Sequence, residues 1–375
     1  MESPALADYF AKRKIPLLEL SQNLLLPAEF SSLEQEYWAV RRSVGLFDFS
    51  FMSTVELIGS DAVTLLQLIQ NRNCEELAIG KIAYSMLLNE HGDVWLDATV
   101  WRVGPDHFYL ITGYSILPFL REAARPYSAL HLVDIAEQYQ VIAVQGPHSS
   151  DLLEAVLGLK AIDLPHYFSF NQPPNYPALT IARLGYTGEL GYELLVPRAE
   201  AIALWQQLQT AAVFPALECG FLAANTLRIE AGFILFCNEL IEPRTLASLG
   251  KLDGAKKEGN SGGLQESLVG LHFLPGTKVE DNTPNLAPQL SPQLVPHLAH
   301  EIAPHIQVTS RAFSPQLGHE IGLGFIDPAA LANGDAGGQA GPLAGNPLNS
   351  PLGPVYLEKL PFFLPTARIS NKPFS

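Results

Sequence analysis

The chain has 375 residues, of which 47% are hydrophobic and 16% charged, and its formal net charge is −15. That length can bury several cores and fits two or three domains, and the composition is that of a soluble globular protein, which excludes a disordered chain. The acidic balance repels nucleic acid and anionic lipid, and the longest basic cluster, Ala11 to Lys14, is too short to offset it, so nucleic-acid and membrane-surface functions are set aside.

Three cysteines, Cys74, Cys219 and Cys237, stand far apart without a CxxC pair, which predicts reduced thiols. The first twenty residues lack the apolar core of a signal peptide, and no window approaches about 18 uninterrupted apolar residues. A cytoplasmic location is expected.

In chain order, "FSSLEQEYWAVRRSVG" at 30–45 predicts a helix capped by Ser31 or Ser32, with Glu34 and Glu36 in its first turn and Gly45 at its end. Strand alternation follows in "STVELIG" and through "AYSMLLNEHGDVWLDATVWRV", where "NEHGD" marks the turn of a hairpin. "SDAVTLLQLIQ" and "SSDLLEAVLGL" each open on Ser-Asp and carry helical spacing. Strands and helices thus mix without strict βαβ alternation, which predicts an α+β fold.

"RLGYTGELGYELLVP" at 183–197 places three glycines three residues apart. A dinucleotide cradle would lead from strand into helix, whereas Tyr192, Leu194 and Val196 continue as strand, so a hairpin with Glu189 at its tip is predicted. "LECGFLAANTLRIEAG" reads as a helix from Leu217 to Gly232, with Arg228 extending an apolar stripe of Leu217, Phe221 and Ala224. That arginine either pairs with a structural acid or binds an anion.

The polar, glycine-rich 251–263 predicts a linker between residues 1–250 and a domain at 264–375, which restarts with "SLVGLHF". His297, His300 and His305 lack zinc-site spacing and predict a surface segment, and 328–354 reads as a loop. No metal site is expected.

On the strand "DVWLDATVWR", a period of two puts Val94, Leu96, Ala98 and Val100 on one face and Trp95, Asp97, Thr99 and Trp101 on the other. A carboxylate between two indoles leaves two readings open. Either the face is solvated, or it borders a cleft where a flat heteroaromatic ligand lies on aromatic surface and gives its ring N–H groups to Asp97.

Eight collinear segments carry a resemblance: "VGLFDFSFMSTVELIGSDAVTLLQ", "AYSMLLNEHGDVWLDATVWR", "VIAVQGPHS", "RLGYTGELGYELLVP", "NTLRIEAGFILFCNEL", "SLVGLHF", "VTSRAFSPQLGHEIGLGFID" and "EKLPFF". Through them the chain resembles the aminomethyltransferase family, the T-protein of the glycine cleavage system. The resemblance implies a three-subdomain cloverleaf around a central cavity for tetrahydrofolate, with a C-terminal β-barrel. It implies Asp97 beside the pterin as the catalytic residue, a fixed carboxylate that orients the ring amine and stabilises developing positive charge, with Tyr84, Trp101, Glu189 and Arg228 binding the cofactor. It also implies transfer of a one-carbon unit to folate from a lipoylated carrier (H-) protein or a small-molecule donor.

Four departures from the family pattern stand out, of which Phe51 and Thr112 remove polar groups where substrate should approach. Leu96 replaces the first of the family's paired acids, Phe51 replaces a histidine and Thr112 an asparagine, and the connection after Asn238 is shorter. The alternatives these departures keep open are a non-catalytic folate-binding sensor or assembly protein and a folate-dependent demethylase.

Overall fold

The computed structural model describes residues 5–21, 24–158, 167–250, 267–273, 300–303, 306–326, 348–350, 353–358 and 360–362. They divide into two units, the first holding the described residues up to Ala224 and the second those from Asn225 onward. The linker expected at 251–263 lies outside the described residues, as do His297 and His305.

The chain opens with α1 (Ala5–Lys12), the hairpin β1 (Leu17–Ser21) and β2 (Leu24–Pro27), α2 (Leu33–Arg42), β3 (Gly45–Asp48), β4 (Ser53–Ile58) and α3 (Ala62–Ile69). The long hairpin of β5 (Ile82–Leu88) and β6 (Val94–Gly104) follows, then β7 (His107–Thr112), α4 (Leu117–Ala123), β8 (His131–Asp134), β9 (Tyr139–Gln145) and α5 (Ser149–Leu157). The strands β10 (Ser169–Asn171), β11 (Thr180–Arg183) and β12 (Gly191–Pro197), the helix α6 (Ala201–Gln209), the short β13 (Leu217–Glu218) and α7 (Phe221–Glu230) complete this half.

In the first unit five strands form a sheet in the order β5-β6-β7-β4-β8, and six form another in the order β10-β11-β12-β9-β3-β13. All pairings are antiparallel except β13 with β3. Consecutive antiparallel hairpins with helices between some of them make a mixed α+β fold, as the absence of βαβ rhythm predicts. Tyr192, Leu194 and Val196 of β12 enter one core with α1, α5 and α6, represented by Phe10, Leu153 and Trp205. By the period of two, Glu193 and Leu195 belong to the other face.

Helix α2 starts where its capping chemistry allows. Ser32 Oγ accepts from Gln35 N at 3.3 Å, and the buried Glu36 carboxyl accepts from the backbone N–H groups of Phe30, Ser31 and Gly220 at 2.6, 2.8 and 2.8 Å. Its end differs from expectation: Ser43 is the C-cap and Gly45 already begins β3, where an added Cβ would meet Val40 and Cys219. The helix expected to start at Leu217 begins at Phe221, because residues 217–218 pair with β3; Leu217 is 38% exposed and belongs to no stripe.

The second unit holds β14 (Ser267–Phe273), β15 (His300–Ala303), β16 (Ile306–Ser314), β17 (His319–Ile326), β18 (Leu348–Ser350) and β19 (Gly353–Glu358). They form one antiparallel sheet in the order β15-β16-β17-β14-β19-β18. Among the described residues no ladder joins β15 to β18, so a closed barrel is not found. Ile229 shares a core with Ala312, Ile321, Leu323 and Phe362. The loop expected at 328–354 is strand at its end, since Leu348–Ser350 pairs with Gly353–Val355. Among the described residues no helix is long and apolar enough to cross a membrane.

Candidate functional site

The alternation of β6 is realised: Val94, Leu96, Ala98 and Val100 are buried, while Trp95, Asp97 and Thr99 stay partly open. Tyr84 pairs with Thr99 across the β5–β6 ladder, which sets it diagonal to Asp97 on the same face. Its phenol donates to Asp97 Oδ2 at 3.0 Å. Burial above all, then the negative charge of Asp97, holds the Tyr84 phenol well above the usual tyrosine range, so it remains a donor. Burial and Asp97 raise Tyr114 in the same way.

Trp101 has a different surrounding from Trp95. Its ring stacks on Phe170 at 5.3 Å and 30°, and its Nε1 donates to Thr99 Oγ1 at 2.9 Å, leaving the side chain 1% exposed. That stack ties the two sheets together, as do bonds of 2.9 Å from Ile82 N to the Phe168 carbonyl and 3.0 Å from Phe170 N to the Gly80 carbonyl.

The glycine-rich segment is a hairpin, with β11 and β12 antiparallel. Two of its glycines leave no room for a side chain: a Cβ on Gly185 or Gly191 would fall 2.1 or 2.3 Å from Gln145 Oε1. That amide cannot simply swing away, because Oε1 accepts from Thr187 Oγ1 at 2.9 Å and Nε2 lies 3.4 Å from the carbonyls of Leu184 and Tyr192. The third, Gly188, has φ +77°, a left-handed conformation that favours glycine. The spacing of three thus has two physical causes.

Glu189 is no solvated turn residue. It is buried, and its Oε1 accepts from Arg41 Nη1 at 2.7 Å; the guanidinium in turn lies over the Tyr37 ring and donates from Nε to the Tyr37 hydroxyl at 3.3 Å. Arg41 was not singled out from the sequence, since nothing local marks an arginine in the last turn of α2 as the partner of an acid 148 residues away.

The sequence reading also missed Glu193. It sits mid-strand in β12 between Ala182 and Ala143, on the face opposite the helical core. It is 8% exposed, and among the described residues its carboxyl has no hydrogen-bond or ionic partner. Burial alone pushes it up to about 8. Nearby, Tyr167 donates its hydroxyl to the Gly185 carbonyl at 3.1 Å, and burial, then the charge of Glu193, raises that phenol. The alternation that marked Asp97 was equally visible here, an acid in a strand with apolar neighbours.

A consequence follows for stability. Between the ordinary glutamate value of 4.5 and about 8, the folded protein holds a proton on Glu193 that the unfolded chain has lost, so stability falls as pH rises through that window. Glu193→Gln is expected to raise the unfolding free energy at pH 8 by a few kcal/mol, and by much less at pH 5. Denaturant unfolding at the two pH values measures this; an equal effect at both would show that Glu193 titrates normally.

Arg228 lies in the second unit and is fully buried. Its Nε donates to Asn225 Oδ1 at 2.9 Å, its Nη1 to the Phe233 carbonyl at 3.1 Å and Glu239 Oε2 at 2.8 Å, and its Nη2 to Ser310 Oγ at 2.5 Å. Glu239 also accepts from Leu235 N, Thr309 Oγ1 and Ser310 Oγ. Of the two readings of this arginine, the structure contains the pair with an acid. The segment after Asn238 packs in the same unit: Arg244 lies 4.0 Å over the Phe325 ring, and Leu240, Ser248 and Leu249 are buried. Among the described residues no cluster of three His, Cys, Asp or Glu side chains could hold a metal ion.

Two carboxyl groups thus have contrasting surroundings, Asp97 held by a phenol and Glu193 by none among the described residues, and they stand on two sheets joined through Trp101 and Phe170. The chain belongs to the aminomethyltransferase family: the family described as the GCVT N-terminal domain matches residues 6–251. It is 33% identical to the aminomethyltransferase of Streptomyces avermitilis, with 83% of this chain and 86% of that one covered. It is 35% identical to that of Synechococcus elongatus, with 82% and 83% covered. In fold it is similar to the glycine cleavage system aminomethyltransferase T of Bartonella henselae, at a TM-score of 0.76 and 22% identity over 97% and 98% of the two chains.

Proposed function

We propose that the protein is a tetrahydrofolate-dependent one-carbon transferase that uses Asp97 as its catalytic carboxylate. The observation that carries this reading is the Asp97–Tyr84 pair on an aromatic face, together with Glu193 buried without a described partner. A buried carboxyl of this kind asks for a ligand donor, and a pterin offers several N–H groups. In this reading Glu193 joins Tyr84, Trp101 and Glu189 in building the pocket. Glu189 does so by fixing the hairpin through Arg41, and Arg228 by ordering its own unit through Glu239.

Bound tetrahydrofolate supplies the ring nitrogen that accepts the one-carbon unit. Asp97 orients and stabilises positive charge that develops beside it, and Tyr84 fixes the carboxylate by donating to Oδ2. Trp101, stacked and buried, gives the pocket a rigid wall without free rotamers. The reading includes a lipoylated carrier protein or a small amine as donor, a cytoplasmic setting, a division at 251–263, and the family's cloverleaf with its closed final barrel.

Calorimetric titration of tetrahydrofolate under reducing conditions tests it. The wild type is expected to bind, and Asp97→Ala to bind at least about tenfold more weakly, the worth of one lost charge-assisted contact. A wild type that takes up no reduced folate overturns the reading.

A further inference from the structure

We propose that the aromatic surface beside Asp97, made by Trp95, Phe119 and Tyr114, is a subsite for a methylated ammonium cation at the end of the donor that carries the one-carbon unit. The inference rests on the functional reading above and names the chemistry of its second substrate.

The alternation of β6 sets Trp95 on the same face as Asp97, roughly 7 Å along the strand. Phe119 of α4 meets the Trp95 ring at 5.2 Å and 68°, so one ring offers its face where the other offers its edge. Tyr114 and Phe119 are 40% and 37% exposed. Aromatic rings left open around a carboxylate are the arrangement that recognises alkylated ammonium ions, through the ring quadrupoles and a counter-charge.

The polar alternative is weaker at this spot. The Thr112 hydroxyl, at the end of β7, donates to the Tyr114 carbonyl at 2.8 Å and so fixes the turn, which leaves its oxygen as one side-chain acceptor. A primary ammonium carries three N–H donors and needs as many acceptors, which rings do not provide; a methylated one needs few. The charge of Asp97 reaches this rim, since it helps to raise the Tyr114 phenol. A neutral donor would desolvate Asp97 with no compensating charge. The net charge of −15 also favours approach of a cation.

The test titrates tetramethylammonium chloride into the full chain, following tryptophan fluorescence against potassium chloride at matched ionic strength, with tert-butanol as the neutral probe. A saturable change with the cation, absent with tert-butanol, is expected, and Phe119→Ala and Trp95→Leu should each weaken it about fivefold or more. Phe119 lies at the surface, so its variant keeps the fold, which circular dichroism checks. An equal response to tert-butanol, or unchanged binding in Phe119→Ala, overturns the proposal. Tetrahydrofolate is titrated in parallel. Folate binding without cation binding sinks the subsite alone, while cation binding without folate binding leaves the subsite standing and sinks the folate reading.

Discussion

Asp97→Asn is expected to lower the rate of one-carbon transfer to tetrahydrofolate by about 10²–10³-fold while folate affinity changes only a few-fold. The two side chains have nearly the same shape, and the Tyr84 hydroxyl can donate to the amide oxygen as it does to Oδ2. The substitution therefore removes charge and leaves geometry. If Asp97 acts by stabilising positive charge as the one-carbon unit moves, the loss falls on kcat and not on KM. Steady-state kinetics with a saturating donor separate the two, and a variant within about tenfold of the wild type would show that Asp97 only helps to hold the pocket.

Arg228→Met is expected to lower the unfolding free energy by about 3–5 kcal/mol, because it leaves Glu239 charged, buried and without its cation. Both side chains of the pair have 0% exposure, so solvent cannot screen the orphaned carboxylate. The double variant Arg228→Met with Glu239→Gln should recover a large part of that loss, since no charge stays buried and the amide oxygen can still accept from Leu235 N, while its NH2 group meets the Thr309 hydroxyl, which can turn to accept. Denaturant unfolding of the three proteins completes the cycle. A single variant costing less than about 1 kcal/mol would mean that the arginine does not hold this unit together, and would return it to the role of an anion ligand.

The two faces of β6, with Asp97 on the more open one, were legible in the sequence because their evidence is local: apolar residues alternating with polar and aromatic ones at the period of a strand. The start of α2 was legible for the same reason, since Ser32 caps it within one turn; α3 and α5 also begin at their Ser-Asp pairs, although their N-caps Asp61 and His148 make no side-chain cap bond. Glu193 carried the same local mark and was passed over for the more conspicuous acid at the hairpin tip. The partnership of Glu189 with Arg41 could not be read, because it depends on how α2 and the β11–β12 hairpin meet. The two-residue strand β13 fails by the same logic, as its identity comes from pairing with β3 and not from its own composition. Strand β18 lies among prolines and glycines that read as loop, and only its ladder with β19, itself paired with β14, makes it sheet.

The Gln145 side chain, wedged between Gly185 and Gly191 and bonded to Thr187, also constrains the order in which this loop can change over generations. Any residue larger than glycine at either position collides with the amide, and the amide is held in place by partners on the loop itself. A variant lineage must first shorten Gln145, giving up its contacts, before a side chain at 185 or 191 becomes tolerable. The loop that carries Glu189 is in that sense locked at two positions by one amide, and a change at Gln145 is the step that would release both.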